Sequence, residues 1–264
     1  MLKIIKVLKR KLSTGFGVSS TLLYVLINLN YREVFYSKPI YFFNHIPKCG
    51  GTSLVKIFDR WFVVIKDYPP HDLKYPDMGS LKHQFDYFKK SPKAYLKMRP
   101  WQMICGHFHE DGTRLFQRYP AILENERVRL ITFLRDPFEH RVSLYYHGVR
   151  KKHNYAKGYN LKEYLFNEIN SNFYAKVFGC TIENYQDILN RYFFIGILED
   201  FDASFKVLAK KMGKSLPSAL PHINVSLRDS QIENLVTVMD EFRLENALDY
   251  LIYEYCKNMS SNQR

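Results

Sequence analysis

The stretch Tyr41-Phe-Phe-Asn-His-Ile-Pro-Lys-Cys-Gly-Gly-Thr-Ser-Leu54 decides the fold class. An apolar run ends at Pro47 and Lys48, two glycines and two hydroxyl residues follow, and an apolar-periodic segment then begins. That order reads as strand, tight loop and helix N-terminus. The first N–H groups of a helix have no partner inside it, and the helix dipole puts partial positive charge at the same end, so such a junction suits a phosphate or sulfate. Gly50 and Gly51 let backbone approach an anion closely. Lys48 adds a full positive charge, and Thr52 and Ser53 add hydroxyl donors and a cap. The plain structural alternative is a Gly-Gly turn capped by Thr52, with Lys48 in solvent. The loop is not a Walker A motif, whose lysine follows its last glycine, because Lys48 precedes both glycines. The three spaced glycines of a dinucleotide site are also absent.

Outward from this loop, strand and helix candidates alternate. Residues 40–44 form the first strand, and residues 52–64 show helical spacing through Leu54, Ile57, Phe58 and Trp61. Residues 67–79 read as a loop and residues 80–96 as a helix. Residues 102–105 form a short strand that runs into Gly106-His107-Phe108-His109. Residues 129–134 are a buried strand, and Pro137 opens a helix over 137–150. A helix over 161–169, a strand over 192–198 and a helix over 202–212 follow. Residues 213–228, with Gly213, Pro217 and Pro221, form a long loop, and residues 230–255 are helical. Strands separated by helices imply an α/β fold, P-loop-like and three-layered, with a central parallel β-sheet flanked by helices. Residues 40–264 are expected as a single domain.

The chain has 264 residues and is 46% hydrophobic, which supports a buried core and argues against wholesale disorder. Its formal charge of +13 favours anionic partners: nucleotides, sulfated or carboxylated glycans, or an acidic membrane. No nucleic-acid-binding signature accompanies that charge, so no nucleic acid partner is expected. Residues 1–39 form a basic N-terminal segment. On a helix, Leu2, Ile5, Leu8 and Leu12 would share a face beside lysines, a pattern suited to peripheral contact with an acidic bilayer. The apolar run at 20–30 is interrupted by polar residues and short for a membrane span, with a signal anchor as the alternative. Cys49, Cys105, Cys180 and Cys256 are widely spaced and form neither a Cys-x-x-Cys pair nor a zinc pattern, so no metal is expected. Cys49 reads as a space-filling residue of the loop.

A second anchor lies at Leu134-Arg-Asp-Pro-Phe-Glu-His-Arg-Val-Ser-Leu-Tyr-Tyr-His147. An Arg at the carboxyl end of a buried strand points into the crevice where open α/β sheets bind ligands. Ser143 lies about two helical turns on, so Arg135 and Ser143 could share a phosphate. Alternatively, Arg135 pairs with Asp136 or caps the sheet edge, and Ser143 is a surface helix residue. Taken together, the Ile46–Leu54 and Leu134–His147 motifs resemble those of sulfotransferases. The likeness is to the membrane-type carbohydrate group that includes heparan sulfate 2-O- and uronyl sulfotransferases and their bacterial relatives. Ile104-Cys-Gly-His107, Phe194-Ile-Gly-Ile-Leu-Glu-Asp-Phe201 and Pro221-His-Ile-Asn-Val-Ser226 add to it, over residues 40–228.

The resemblance implies 3′-phosphoadenosine 5′-phosphosulfate (PAPS) as co-substrate. Lys48, Cys49, Gly50, Gly51, Thr52 and Ser53 would hold its 5′-phosphosulfate, and Arg135 and Ser143 its 3′-phosphate. His107 would be the base that takes the acceptor's proton, with His109 and Glu110 as competitors for that role. Lys48 would serve catalysis by meeting charge that grows on the leaving phosphate. The acceptor would be a hydroxyl, expected on a carbohydrate and acidic in character. Arg99, Trp101, Arg150, Lys151, Lys152 and His153 are candidates for lining its groove, and residues 172–179 for an acceptor-side segment. The compartment expected from the resemblance is cytoplasmic or membrane-peripheral for a bacterial-type enzyme, and the Golgi membrane for a eukaryotic one. Two other classes stay open on sequence alone: a nucleotide-dependent phosphotransferase, and a non-catalytic protein that captures anionic glycans on the same fold.

Overall fold

The computed structural model describes residues 38–68, 81–109, 112–217 and 236–261. The N-terminal segment, Glu110 and the motif at 221–226 lie outside the described residues. Ile40–Arg264 forms one compact unit. Its centre is a five-stranded sheet in the order β2-β3-β1-β4-β5, with every pairing parallel. The strands are β1 (Ile40–Asn44), β2 (Val63–Asp67), β3 (Gln102–Gly106), β4 (Val128–Leu134) and β5 (Phe194–Ile197). The fold is thus α/β and P-loop-like, a parallel sheet between helical layers. The described helices are α1 (Gly51–Trp61), α2 (Leu81–Lys90), α3 (Leu115–Arg118), α4 (Pro137–Lys151), α5 (Leu161–Leu165), α6 (Phe173–Phe178), α7 (Tyr185–Leu189), α8 (Phe201–Met212), α9 (Val236–Glu245) and α10 (Ala247–Ser261).

β1 is buried at all five positions because it is the central strand, which is why it reads as a continuous apolar run. Its side chains alternate between faces. On one face Phe43 meets Phe58 of α1 at 5.2 Å, and Trp61 of α1 stacks on Phe205 of α8 at 5.2 Å. On the other, Phe42 packs edge-on against Tyr95 and Tyr119, and the Asn44 amide donates to the Tyr192 hydroxyl. α8 and α10 both pack against β5. The chain leaves β1 toward one edge of the sheet and leaves β4 toward the other. The carboxyl ends of β1 and β4 therefore flank the point where strand order reverses, the usual ligand crevice of an open α/β sheet.

Several elements differ from the sequence-based expectation, among them the helix expected over 80–96, which ends at Lys90 and is followed by a separate 3₁₀ turn at Tyr95–Lys97. The helix expected over 52–64 stops at Trp61, and Val63–Asp67 is a strand. The β-branched run Val63-Val64-Ile65 continues the helical hydrophobic spacing, yet Phe62 turns extended and its N–H closes on the Phe58 carbonyl. The helix expected over 161–169 is α5 followed by a separate 3₁₀ turn at Glu168–Asn170. The C-terminal helix is broken at Asn246, which is buried and accepts the Asn172 N–H, so α9 and α10 are distinct. Among the described residues no helix is long and apolar enough to cross a membrane.

The edge strand β2 is tied down at its carboxyl end by a buried charge pair. Asp67 accepts both Nε and a terminal nitrogen of Arg118 at 2.8 Å, and the Tyr119 hydroxyl at 2.6 Å. Arg118 also donates to the carbonyls of Phe88 and Ser91, so the pair is fully hydrogen-bonded and links β2 to the end of α2. Removing one partner leaves the other charge buried and uncompensated. Asp67→Ala is expected to lower unfolding free energy by about 3–5 kcal/mol in urea denaturation. A loss under about 1 kcal/mol, the range of surface pairs, would show that the pair is not desolvated.

Candidate functional site

The β1–α1 loop departs from β1 at His45 and reaches α1 through two left-handed residues. Lys48 has φ 64° and Gly50 has φ 78°. A left-handed lysine costs roughly 1–2 kcal/mol, and such strain concentrates where a ligand is held. Gly50 occupies the cap position of α1 and makes no side-chain cap, so the cap expected from Thr52 is not formed. The loop's internal bonds run from Cys49 N–H to Ile46 O, and from the N–H groups of Ser53 and Leu54 to Gly50 O. The amides of Gly50, Gly51 and Thr52 have no acceptor among the described residues. Thr52 is exposed and Ser53 is buried. The second glycine has a reason the sequence does not announce: a methyl group at Gly51 would overlap the imidazole of His45.

Three side chains fasten this loop from outside it. His107, immediately after β3, places Nδ1 2.8 Å from the His45 carbonyl. His140 of α4 places Nε2 3.0 Å from the Pro47 carbonyl. A carbonyl only accepts, so each imidazole donates through that nitrogen. Tyr174 of α6 is the third. Its hydroxyl donates to Arg135 O at 2.7 Å, accepts Arg135 N–H at 3.3 Å, and lies 3.7 Å from Cys49 Sγ. Because the hydroxyl proton is engaged by Arg135, the thiol is the donor in the last contact. Burial pushes the Cys49 thiol up to about 12, so it stays protonated. Cys49, with its N–H and its thiol both occupied, holds the loop from beneath rather than facing a ligand.

Arg135 follows β4 directly and pairs with Glu139 one helical turn on, at 3.1 Å. The neighbouring carboxylate Glu199 is engaged by Asp136 N–H and the Tyr253 hydroxyl, both at 3.0 Å. Asp136 caps α4 by accepting Glu139 N–H. Positions 140, 143, 147 and 150 share one face of α4, and the His140 bond to Pro47 turns that face to the loop. Ser143 is only 6% exposed, and its hydroxyl has no hydrogen-bond partner among the described residues. The charges are close enough to act on one another. Lys48 is held below its ordinary value first by burial, then by Arg150 and Arg135. His147 is lowered to about 4 by burial, then by Lys48, His153, Arg150 and Lys151. Neither Lys48 nor Arg150 has an ion-pair partner among the described residues.

His107 completes the arrangement from the other side of β1, since β3 and β4 are its two neighbours. With Nδ1–H committed to the His45 carbonyl, the neutral ring carries its lone pair on Nε2. The ring packs on His45 at 4.2 Å and Tyr68 at 4.6 Å, and it remains partly exposed. His45 is held to about 4 by burial, then by His109, so it is neutral at ordinary pH. His109 lies 5.7 Å from His107, ring to ring, and also faces Phe173.

The structure therefore brings Lys48, the 50–52 amides, Arg135, Ser143 and His107 to the carboxyl ends of three adjacent strands. Arg99 and Trp101 precede β3, at the opposite end of the sheet, and do not line this crevice. Arg150 belongs to the cationic face of α4. Residues 172–179 form α6 and its flanks, a mostly buried element that supplies Tyr174. His45, His140, His147 and Tyr174 do not stand out as site residues in the sequence. The spacing His140–Ser143–His147 is the signal available for two of them. No group of three or more His, Cys, Asp or Glu that could hold a metal ion is present among the described residues.

No family model matches the chain, and no curated protein matches it. Comparison with solved structures finds similarity at low identity. A sulfotransferase from Alicyclobacillus acidocaldarius is 16% identical over 82% of this chain and 96% of its own, with a TM-score of 0.44. Mouse sulfotransferase SULT7A1 complexed with PAP is 14% identical over 87% of this chain and 93% of its own, also at 0.44. Retinol dehydratase in complex with androsterone and inactive cofactor PAP is 14% identical over 72% of this chain and 65% of its own, at 0.35.

The packing of His45 over Gly51 is testable by itself. Gly51→Ala is expected to cost about 1–3 kcal/mol through overpacking. His45→Ala should recover most of that loss in the double variant, giving a coupling energy above about 1 kcal/mol in a urea-denaturation cycle. Additive effects would mean the ring does not enforce the glycine.

Proposed function

We propose that this protein is an O-sulfotransferase that takes a sulfuryl group from PAPS and delivers it to a hydroxyl, expected on a carbohydrate. The observation that carries the reading is a cationic crevice: Lys48 and Arg150 have no ion-pair partner among the described residues, Arg150 and Arg135 both act on Lys48, and bare helix-terminal amides and the buried, unpartnered Ser143 hydroxyl lie beside them. The donor's anionic groups at the 5′ and 3′ positions require two anion-binding clusters on one crevice. The loop amides with Lys48 supply one, and Arg135 with Ser143 supplies the other. The paired motifs, which resemble those of sulfotransferases, support the same reading.

The chemistry asks three things of the protein. A base must take the acceptor's proton, and His107 at the end of β3, an imidazole whose Nδ1–H is committed to the His45 carbonyl, is the group assigned to it. The acceptor oxygen must approach sulfur opposite the phosphate oxygen that leaves, so both partners must be positioned. As the new S–O bond forms and the old one breaks, the departing phosphate gains negative charge. Lys48 and the amides of Gly50, Gly51 and Thr52 are fixed donors aimed at that charge. Left-handed backbone at Lys48 and the ties from His107, His140 and Tyr174 hold these donors in place before the donor arrives. A capture protein would need the cations but not an imidazole whose tautomer is set by a backbone carbonyl, which favours catalysis over binding alone.

The test is transfer of radiolabelled sulfate from PAPS to a panel of glycans and simple hydroxyl compounds. Lys48→Ala should reduce transfer by more than about 10²-fold, the scale of losing a charge-stabilising donor. His107→Ala should reduce kcat by about 10²–10⁴-fold, a larger loss than any weakening of donor binding from releasing the loop tie to the His45 carbonyl. Transfer that survives both substitutions would contradict the roles assigned to Lys48 and His107. Stabilisation by ATP with magnesium in preference to adenosine 3′,5′-bisphosphate would instead point to phosphoryl transfer.

A further inference from the structure

The face of α4 turned toward the loop carries two polar groups that nothing in the described chain satisfies. Ser143 Oγ belongs to the donor site proposed above. The other is His147 Nδ1, buried and without a hydrogen-bond partner among the described residues. One helical turn separates the two residues, so they lie on the same stripe. His147 feels the cations Lys48 of the β1–α1 loop and Arg150 and Lys151 of its own helix, and His153 of the turn that follows lies 5.7 Å away ring to ring. His153 is braced in turn by stacking on Tyr155 at 5.3 Å. A buried ring nitrogen without a hydrogen-bond partner, on a half-buried imidazole among cations, is unfavourable as it stands. An anion held by Lys48 and Arg135 would give it both an acceptor and a compensating charge.

We infer that His147 is a further donor-binding residue, one that joins the site as an imidazolium when the phosphate-bearing nucleotide enters. The inference rests on the donor reading above and adds to it a proton taken up from solvent on binding. The sign follows from electrostatics. In the free protein burial and the surrounding cations keep the ring neutral down to about pH 4. An anion alongside favours the charged form and raises the value at which the ring protonates. Linkage then makes the donor bind more tightly as pH falls through the bound-state value. If the bound ring titrates near the ordinary histidine value of about 6.5, its contribution to affinity rises roughly tenfold between pH 7.5 and 5.5.

Isothermal calorimetry with adenosine 3′,5′-bisphosphate tests this on the full chain and on His147→Gln. The 3′-phosphate itself titrates near pH 6, so the quantity to read is the ratio of wild-type to variant affinity, from which the ligand's own protonation cancels. The expected ratio rises about tenfold from pH 7.5 to 5.5. At pH 6 wild type should take up more protons than the variant, read from buffers of different ionisation enthalpy. A flat ratio with tight wild-type binding overturns the role of His147 and leaves the donor reading intact. No wild-type binding at either pH overturns both. Ring NMR of His147 gives a second measure independent of the variant's stability: its titration should move upward by at least one unit on adding the bisphosphate, and an unmoved titration rejects the inference.

Discussion

Positive charge that the described chain does not neutralise is the constraint from which the site follows. Arg150 and Arg135 act on the partly buried Lys48 and, with that burial, make its charge more costly. Folding alone gains nothing from such an arrangement. Glu139 offsets Arg135, while Glu199 is committed to Asp136 and Tyr253. The rest of the structure keeps the cations together. Tyr174 joins the end of β4 to the loop after β1, and two imidazoles take the carbonyls at either side of Ile46. A sheet with β1 between β3 and β4 makes this possible with short reaches, because the three elements that bear the chemistry start from adjacent strand ends.

Much of this is legible in the sequence because the motifs are local. The strand Ile40–Asn44 and the helix after the glycines follow from hydrophobic pattern and loop chemistry, and Pro137 marks the start of α4. Lys48, Arg135 and His107 stand out because each sits within a few residues of a strand end, where an α/β fold puts its ligand. Strand order is not legible. It depends on which strands pair, a long-range choice that periodicity does not record.

What escapes a sequence reading has specific physical causes. Val63–Asp67 merges with the preceding helix because its β-branched residues prolong the apolar spacing of α1, and only the extended backbone at Phe62 separates the two. Tyr174 looks like one aromatic among 20 tyrosines, and its role arises from contacts with residues 39 and 125 positions away. The glycine at position 51 suggests close approach of a ligand, whereas the His45 ring already demands it. His140 is hidden for a related reason: burial and its bond to the Pro47 carbonyl give it a structural duty in a sequence that reads as a plain polar helix face.

The functional proposal stands or falls on whether one adenosine carrying phosphates at both its 3′ and 5′ positions spans the two anion clusters. A crystal structure of the complex with adenosine 3′,5′-bisphosphate answers that question. The predicted result is a 5′-phosphate on the Gly50–Thr52 amides and Lys48, with the 3′-phosphate on Arg135 and the now-partnered Ser143 hydroxyl. A nucleotide bound elsewhere, or one that leaves Ser143 and Arg135 untouched while occupying the loop, would contradict it.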